Sequence, residues 1–410
     1  MAQQPFLKSI RPVNLLSFGP DTEEIELRPL NILIGPNGSG KSNLIEILGL
    51  LSKFPERDPW AKVRETGGAH EWIWKGKGGG SKQTLLSVTT TGEKVSVFSD
   101  QDEEKSLFYS ISLWAADGAF GVMTERFLEI ENGEDGTLAN QNAYDRDERE
   151  PFSYPINTEN VFAQQDQKLP IGRSVLSMIG SASTLAISQP RISEFADNIE
   201  RFAFYRDWVF GSDFTARQPV SAGQPVEMLL ENASNLAQLL ARYQSDFRPT
   251  FDLINELMKK FYEPIKSVEV RIVSTHLQVA IFEEGGFSIP AYRLSDGTLR
   301  WLALLVILLN PTPGPVTCIE EPELGLHPDM IPTLADLLRD ASMRTQLIIT
   351  THSQSLVECF SDDPEAVCVC EKVEGSTVIR RLDKERLKVW LTDYSLGQLW
   401  ASGQIGGNRW

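Results

Sequence analysis

Strand-like and helix-like hydrophobic patterns alternate along the chain. Residues 6–15 and 25–27 read as strands, followed by the apolar run Asn31-Ile32-Leu33-Ile34. Residues 43–48 then place apolar side chains at helical spacing. Glycines 67, 68 and 76 bracket Trp72 and Trp74, whose i, i+2 spacing predicts one side of a strand, with packing preferred over stacking on a base. Alternation continues through 85–97 and 107–113, whereas 131–150 is polar and acidic and is expected to be an exposed loop. Residues 175–210 are expected to be helical and to end in the aromatic cluster Phe202, Phe204, Tyr205, Trp208 and Phe210, with core or interface as its default meaning. Helices at 226–243 and 249–262 and a hairpin of 267–273 with 277–282 complete the middle.

The last third alternates more regularly. Residues 295–309 form a helix so apolar that it must be buried; 316–320 is a strand, 328–343 a helix, 346–350 a strand and 353–360 a helix. That order implies an α/β fold with a mostly parallel sheet. The tail, 394–410, mixes glycines with Leu399, Trp400 and Trp410, so it is expected to pack on the body or a partner. No apolar heptads are sustained, so no long coiled-coil arm is expected.

Composition narrows the function class. The 410 residues, 41% hydrophobic, can build a sizeable soluble core. With 39 basic and 56 acidic residues the net charge is −17, which argues against an overall electrostatic grip on nucleic acid or anionic membrane. Screening acts over about 8 Å, so Arg380, Arg381, Lys384, Arg386 and Lys388 could form a local basic face, but a solvated helix face is the preferred reading. The 4 cysteines are too few and too poorly spaced for a disulfide framework or a four-ligand metal site, and Cys368 and Cys370 share one side of a strand. A reducing cytoplasm fits. No apolar run approaches the ~20 residues of a membrane span, and no leader is recognisable at the start.

The chemistry gathers at Gly35, Gly40, Lys41 and Ser42, spaced G-x-x-x-x-G-K-[ST] between a strand and a helix. This is a phosphate-binding loop: glycines let backbone N–H groups close on an anion at a helix N-terminus. Its nucleotide-binding residues are Asn37, Gly38, Ser39, Gly40, Lys41, Ser42 and Asn43. Lys41 would reach the β- and γ-phosphates of ATP, and the Ser42 hydroxyl would bind Mg²⁺. The strand 316–320 ends in Glu320 and Glu321; Glu320 would orient Mg²⁺ through water and Glu321 would polarise the attacking water. Ser295, Asp296, Gly297 and Thr298 open the buried helix, where a hydroxyl, an N–H and the helix dipole can meet a γ-phosphate. An ordinary N-cap would explain Ser295 or Asp296 alone. His352 ends the next strand, placed to sense the γ-phosphate.

Together GPNGSGKS, LSDGT, CIEEPELGLHP and TTHS resemble the ATP-binding-cassette class of ATPase heads found in SMC and RecF proteins and in overcoming-lysogenization-defect nucleases. In particular they resemble the stand-alone AAA-family ATPases of bacteria and phage-defence operons. The likeness covers 6–60 and 290–410 well and the middle only through Phe204 to Trp208 and Ser234 to Leu236. It implies an ABC-type head with a mostly parallel sheet around the phosphate loop, an antiparallel β edge and a helical lobe. Residues 1–100 and 291–410 would make the head, and 101–290 an inserted variable lobe. It further implies a homodimer through ATP, in which Ser295, Asp296, Gly297 and Thr298 of one copy bind the ATP held by the other, and Leu324 to His327 cross the interface. Gln189, preferred to Gln164 or Gln165, would complete the Mg²⁺ shell. The chain departs from the pattern at Glu320, normally aspartate, and Asp296, normally glycine; both changes predict slower hydrolysis.

The preferred expectation is an ATP-hydrolysing switch gating a separately encoded effector protein or nucleic acid, in anti-phage defence, with no membrane role and with higher oligomers left open. The alternative is a RecF- or SMC-like DNA maintenance ATPase. A self-contained nuclease is disfavoured because only 58 residues follow His352 in this sequence of 410. Glu321 counts against a module that binds ATP without hydrolysing it, and no lobe suited to a transporter subunit is recognisable.

Overall fold

The computed structural model describes residues 4–76, 83–91, 93–95, 103–116, 119–132, 138–147, 173–178, 190–206, 211, 214–221, 223 and 226–407. Its centre is a six-stranded sheet in the order Ser376–Arg381, Val367–Val373, Leu30–Ile34, Gln346–Thr350, Val316–Glu320, Ala203–Tyr205. All neighbours pair in parallel except the Ser376–Arg381 edge, which is antiparallel. The inner strands Leu30–Ile34 and Gln346–Thr350 are buried along their whole length, which is why they carry apolar runs instead of alternation.

Side chains of this sheet divide with period two. Ile32, Ile34, Leu347, Ile349, Val367 and Val369 enter one core; Leu33, Ile348, Cys368 and Cys370 enter the other. The second core also holds the buried face of the helix Lys41–Leu51 and residues of a seven-stranded antiparallel sheet. That sheet runs Ile25–Glu26, Leu7–Val13, Gln83–Thr90, Glu103–Ala116, Ala119–Asn132, Leu138–Asp147, with Glu93–Val95 added to Glu103–Ala116. The first core takes the helices Leu236–Asp246, Arg248–Phe261, Asp296–Leu308 and Ile331–Ala341, together with a four-stranded sheet built on the hairpin Ile265–Val273 and His276–Glu283. The fold is therefore α/β, with a mostly parallel sheet around the phosphate loop, an antiparallel sheet on one side and a helical layer on the other.

Several local expectations give way to tertiary pairing. Trp72 ends the short helix Ala69–Trp72 instead of sharing a strand with Trp74; both indoles are buried, donating to Thr66 Oγ1 at 2.9 Å and to Gly375 O at 3.2 Å. Within the stretch expected to be a loop, Leu138–Asp147 is a strand, because Ala119–Asn132 offers it an edge. Among the described residues of 175–210 only Pro190–Glu200 is α-helical, and Ala203–Tyr205 is a strand pairing with Thr317 to Ile319. Trp208 and Phe210 lie outside the described residues. The helix expected from 226 begins at Leu236; before it the chain wraps the Asn235 side chain, which accepts from Leu230 N at 2.8 Å and donates to Met228 O at 2.8 Å. The tail packs on the body through buried Leu396, Leu399, Trp400 and Ile405, and Gly407 N donates to Glu371 Oε1 at 2.9 Å. Among the described residues no helix is long and apolar enough to cross a membrane.

Candidate functional site

The strand Leu30–Ile34 stops at Gly35 because the next strand crowds it: a Cβ on Gly35 would sit 2.2 Å from Cys370 O. Gly40 closes the loop at φ 102°, and a Cβ there would lie 2.1 Å from Thr377 Oγ1. Thr377 is held in that position by donating to Ser39 O at 2.8 Å, so the antiparallel edge strand braces the loop from outside. Lys41 opens the helix with its ammonium buried, donating to Gly35 O at 2.7 Å and Pro36 O at 3.2 Å. Burial draws its pKa below the usual lysine range, opposed by Cys370, Glu321 and Glu320.

A cleft of about 670 Å³ lies over this loop, within the range of about 300–1,000 Å³ common for small-ligand sites. Residues 37–43 line it from one side, and Glu320, Glu321, Thr350 and His352 from the ends of the two neighbouring strands. The parallel sheet thus brings the expected phosphate-loop, acid and histidine positions to one edge, where open α/β sheets bind ligands. Ser295, Asp296, Gly297 and Thr298 do not line this cleft. Ser295 instead caps the helix Asp296–Leu308, accepting from Thr298 N at 3.1 Å, and a Cβ on Gly297 would lie 3.1 Å from Gly325 O. Gln189 lies outside the described residues.

Glu321 adopts φ 46°, the left-handed region that a non-glycine residue enters only when its surroundings impose it. Here Glu321 N donates to Thr350 O at 2.9 Å, and Arg300 Nη2 donates to Glu321 O at 3.0 Å. Its carboxylate stands 4.0 Å from His352 Nε2. His352 is drawn below the ordinary histidine range, first by burial and then by Lys41, with Glu321 opposing, so the imidazole is neutral near pH 7.

Other residues of this site take their roles from the fold. Glu323 Oε1 accepts from Thr351 Oγ1 at 2.5 Å and from His352 N at 3.2 Å, tying the acidic turn to the histidine turn. Burial raises its pKa, with the Thr351 and His352 bonds pulling the other way. Arg206 Nε is 3.3 Å from Glu320 Oε1 without the alignment of a hydrogen bond, so this carboxylate oxygen faces a guanidinium but accepts no hydrogen bond among the described residues. Lys372 also lines the cleft. Glu323 and Arg206 stand in stretches that carry the resemblance, but nothing local gives either a role; Arg300 shows as a charge within a largely apolar helix.

The donors suit a nucleoside triphosphate with Mg²⁺. Ser42 and Glu320 present hard oxygen atoms to the cleft, and among the described residues no cluster of three or more His, Cys, Asp or Glu could cage a metal alone. Mg²⁺ commonly takes one or two protein oxygens and completes its shell with phosphate and water. By contrast the basic residues near the C-terminal end are engaged within the chain. Arg380 pairs with Glu371 at 3.0 Å, Arg386 with Asp383 at 3.4 Å and Lys388 with Glu385 at 3.7 Å. Arg381 Nη2 donates to Glu26 O at 2.8 Å and Lys384 to Asp362 O at 2.7 Å.

The comparisons with known proteins agree with this geometry. An SMC head bound to the C-terminal winged-helix domain of ScpA superposes with TM-score 0.54 at 14% identity, over 94% of this chain and 100% of that one. An SMC head domain with an extended coiled coil, from Pyrococcus furiosus and bound to the C-terminal domain of ScpA, gives 0.55 at 13%, over 95% and 99%. At such identity the likeness establishes the fold alone. No curated protein matches the chain. The model of the family described as "AAA domain, putative AbiEii toxin, Type IV TA system" matches residues 30–358, from the phosphate-loop strand to the helix after His352. The chain therefore belongs to that family, an AAA-type ATPase built on the fold of the SMC head.

Proposed function

We propose that the protein hydrolyses ATP with Mg²⁺ and that two copies close head to tail around two ATP molecules, gating a separately encoded effector in anti-phage defence. One observation carries this reading. The phosphate loop, Glu320, Glu321 and His352 share one cleft, while the signature Ser295 to Thr298 of the same chain lies outside it. A second copy supplies the missing side of the nucleotide site.

In this reading Ser42 would hold the metal and Glu320 would orient it through water, and the bound metal would neutralise phosphate oxygens. Lys41 exchanges the Gly35 and Pro36 carbonyls for phosphate. Glu321, fixed by Thr350 and Arg300, takes the proton of the attacking water. His352, neutral beside it, offers a hydrogen bond to the γ-phosphate. Residues 1–100 and 291–410 supply most of the head, to which 101–290 adds the edge strand Ala203–Tyr205 and the outer strands of the antiparallel sheet; the rest of 101–290 is the lobe that meets the client. A DNA maintenance role is the second reading; the engaged state of Arg380 to Lys388 supports it less.

Glu321→Gln keeps the size of the side chain and removes the base. Native mass spectrometry of this variant with Mg²⁺ should show an ATP-dependent dimer carrying two nucleotides, with turnover reduced at least ~100-fold. A monomer that binds ATP unchanged would refute the composite site.

A further inference from the structure

At position 296 the chain carries a carboxylate where the resemblance leads one to expect glycine, and a carboxylate there should repel an incoming phosphate. We propose that Arg217 is a positioning residue for the signature: it cancels the charge of Asp296 and holds the loop in the shape that receives the second copy's ATP. The proposal rests on the sandwich reading given above.

Arg217 ends the turn Thr215–Arg217, far in sequence from the signature, and its side chain is only 7% exposed. Its guanidinium is spread across the entry to the helix Asp296–Leu308. Nη1 donates to Leu294 O at 2.7 Å and Ala291 O at 3.1 Å, Nε donates to Gly211 O at 3.1 Å, and Nη2 donates to Asp296 Oδ1. The residues before and after Ser295 are thus gripped by one planar group, whose rigid fork fixes their relative position. Ser295 itself is left between them as the helix cap.

Stability does not account for this aim. The Asp296 side chain is 64% exposed, and an ion pair with so wet a partner contributes about 0–1 kcal/mol. With glycine at 296 the carbonyls of Gly211, Ala291 and Leu294 would still hold Nε and Nη1, so the bond from Nη2 is the part of the grip that depends on the carboxylate. What the pair alters is the charge at the helix N-terminus, where a phosphate would dock. Unpaired, Asp296 would oppose the anion; paired, it leaves the helix dipole and the Ser295 hydroxyl to act.

The test uses the full chain with Glu321→Gln, reading the ATP concentration at half-maximal dimerisation by light scattering in Mg²⁺. Arg217→Met should raise that concentration at least ~10-fold, about 1.4 kcal/mol. Adding Asp296→Gly should recover at least about threefold of that loss, because the uncompensated charge is gone while the grip on the Ala291 and Leu294 carbonyls stays lost. Asp296→Gly alone should lower it severalfold, since Arg217 then faces the phosphate unopposed. If Arg217→Met matches its parent, or if Asp296→Gly fails to rescue it, Arg217 is a scaffold residue and the proposal falls. Where Arg217→Met does not fold, the single Asp296→Gly variant decides: weaker dimerisation overturns the idea. A Glu321→Gln parent that never dimerises refutes the sandwich reading, and this proposal with it.

Discussion

Replacing Gly40 by alanine should damage the loop far more than the same change at Gly38. The backbone there has φ 102° and ψ 10°, and the new Cβ would stand 2.1 Å from Thr377 Oγ1, 2.6 Å from Ser17 Oγ and 2.8 Å from Thr377 Cγ2. Neither neighbour is a flexible side-chain end. Thr377 is 2% exposed and its hydroxyl lies 2.8 Å from Ser39 O and 2.7 Å from Ser17 Oγ. Left-handed strain in an L-residue costs about 1–2 kcal/mol. Overpacking adds about 1–3 kcal/mol, and losing the Thr377 bond about 1 kcal/mol, so Gly40→Ala should destabilise by about 3–6 kcal/mol. Gly38 provides the control: its φ is 78°, but a Cβ added there would meet no atom within 4 Å, so Gly38→Ala should carry the strain alone, about 1–2 kcal/mol. Urea unfolding of both variants measures the difference directly. Adding Thr377→Ala to Gly40→Ala should recover about 1–3 kcal/mol, since it removes the Thr377 part of the clash and leaves the strain and the contact with Ser17 Oγ. Equal destabilisation by Gly38→Ala and Gly40→Ala would show that the edge strand does not brace the loop, and the reasoning would fail.

Acidification should weaken the fold through His352. Its folded pKa lies below the ordinary 6.5, so the native state favours the neutral ring; the stability this contributes is present above 6.5 and is lost as pH falls through the folded value. Thermal unfolding of His352→Gln should lack that part of the pH dependence, and an unchanged profile would contradict it. Glu323 has the opposite sign: its pKa is raised from 4.5, so its contribution is complete below 4.5 and is lost as pH rises through the folded value. Glu323→Ala should strand the Thr351 hydroxyl and His352 N–H, costing about 1–3 kcal/mol in urea unfolding at neutral pH. It should also lower kcat for ATP more than it changes KM, since Glu323 reaches the site only through the His352 turn; an equal loss in both would assign it to ATP binding instead.

The strands Val316–Glu320 and Gln346–Thr350 coincide with the ranges read from the sequence because burial on both faces demands an uninterrupted apolar run that ends abruptly. The helices Arg248–Phe261 and Asp296–Leu308 were equally plain, the second because so apolar a helix has nowhere to go but inward. Ala203–Tyr205 was hidden for the converse reason. A strand of three residues carries no periodicity of its own and exists because Thr317 to Ile319 offer it an edge. Leu138–Asp147 was hidden by its polar composition. Within the site, the positions of Lys41, Glu321 and His352 follow from motifs tied to strand ends, whereas the parts of Arg206 and Glu323 depend on partners remote in sequence.

What the chain determines by itself is local: a loop that only glycines can close, strands that stop where charged or polar residues begin, a serine that caps a helix. These follow from sterics, burial and hydrogen bonding within a few residues. The convergence of residues 41, 321 and 352 on one cleft was decided by the order of strands in a parallel sheet. So was the left-handed backbone at Glu321, imposed by Thr350 and Arg300 from two other elements. The sign of Asp296 could be read in the sequence as a penalty; its neutralisation by Arg217, 79 residues away, could not. A charge has a local identity, but its energy depends on what folding brings beside it.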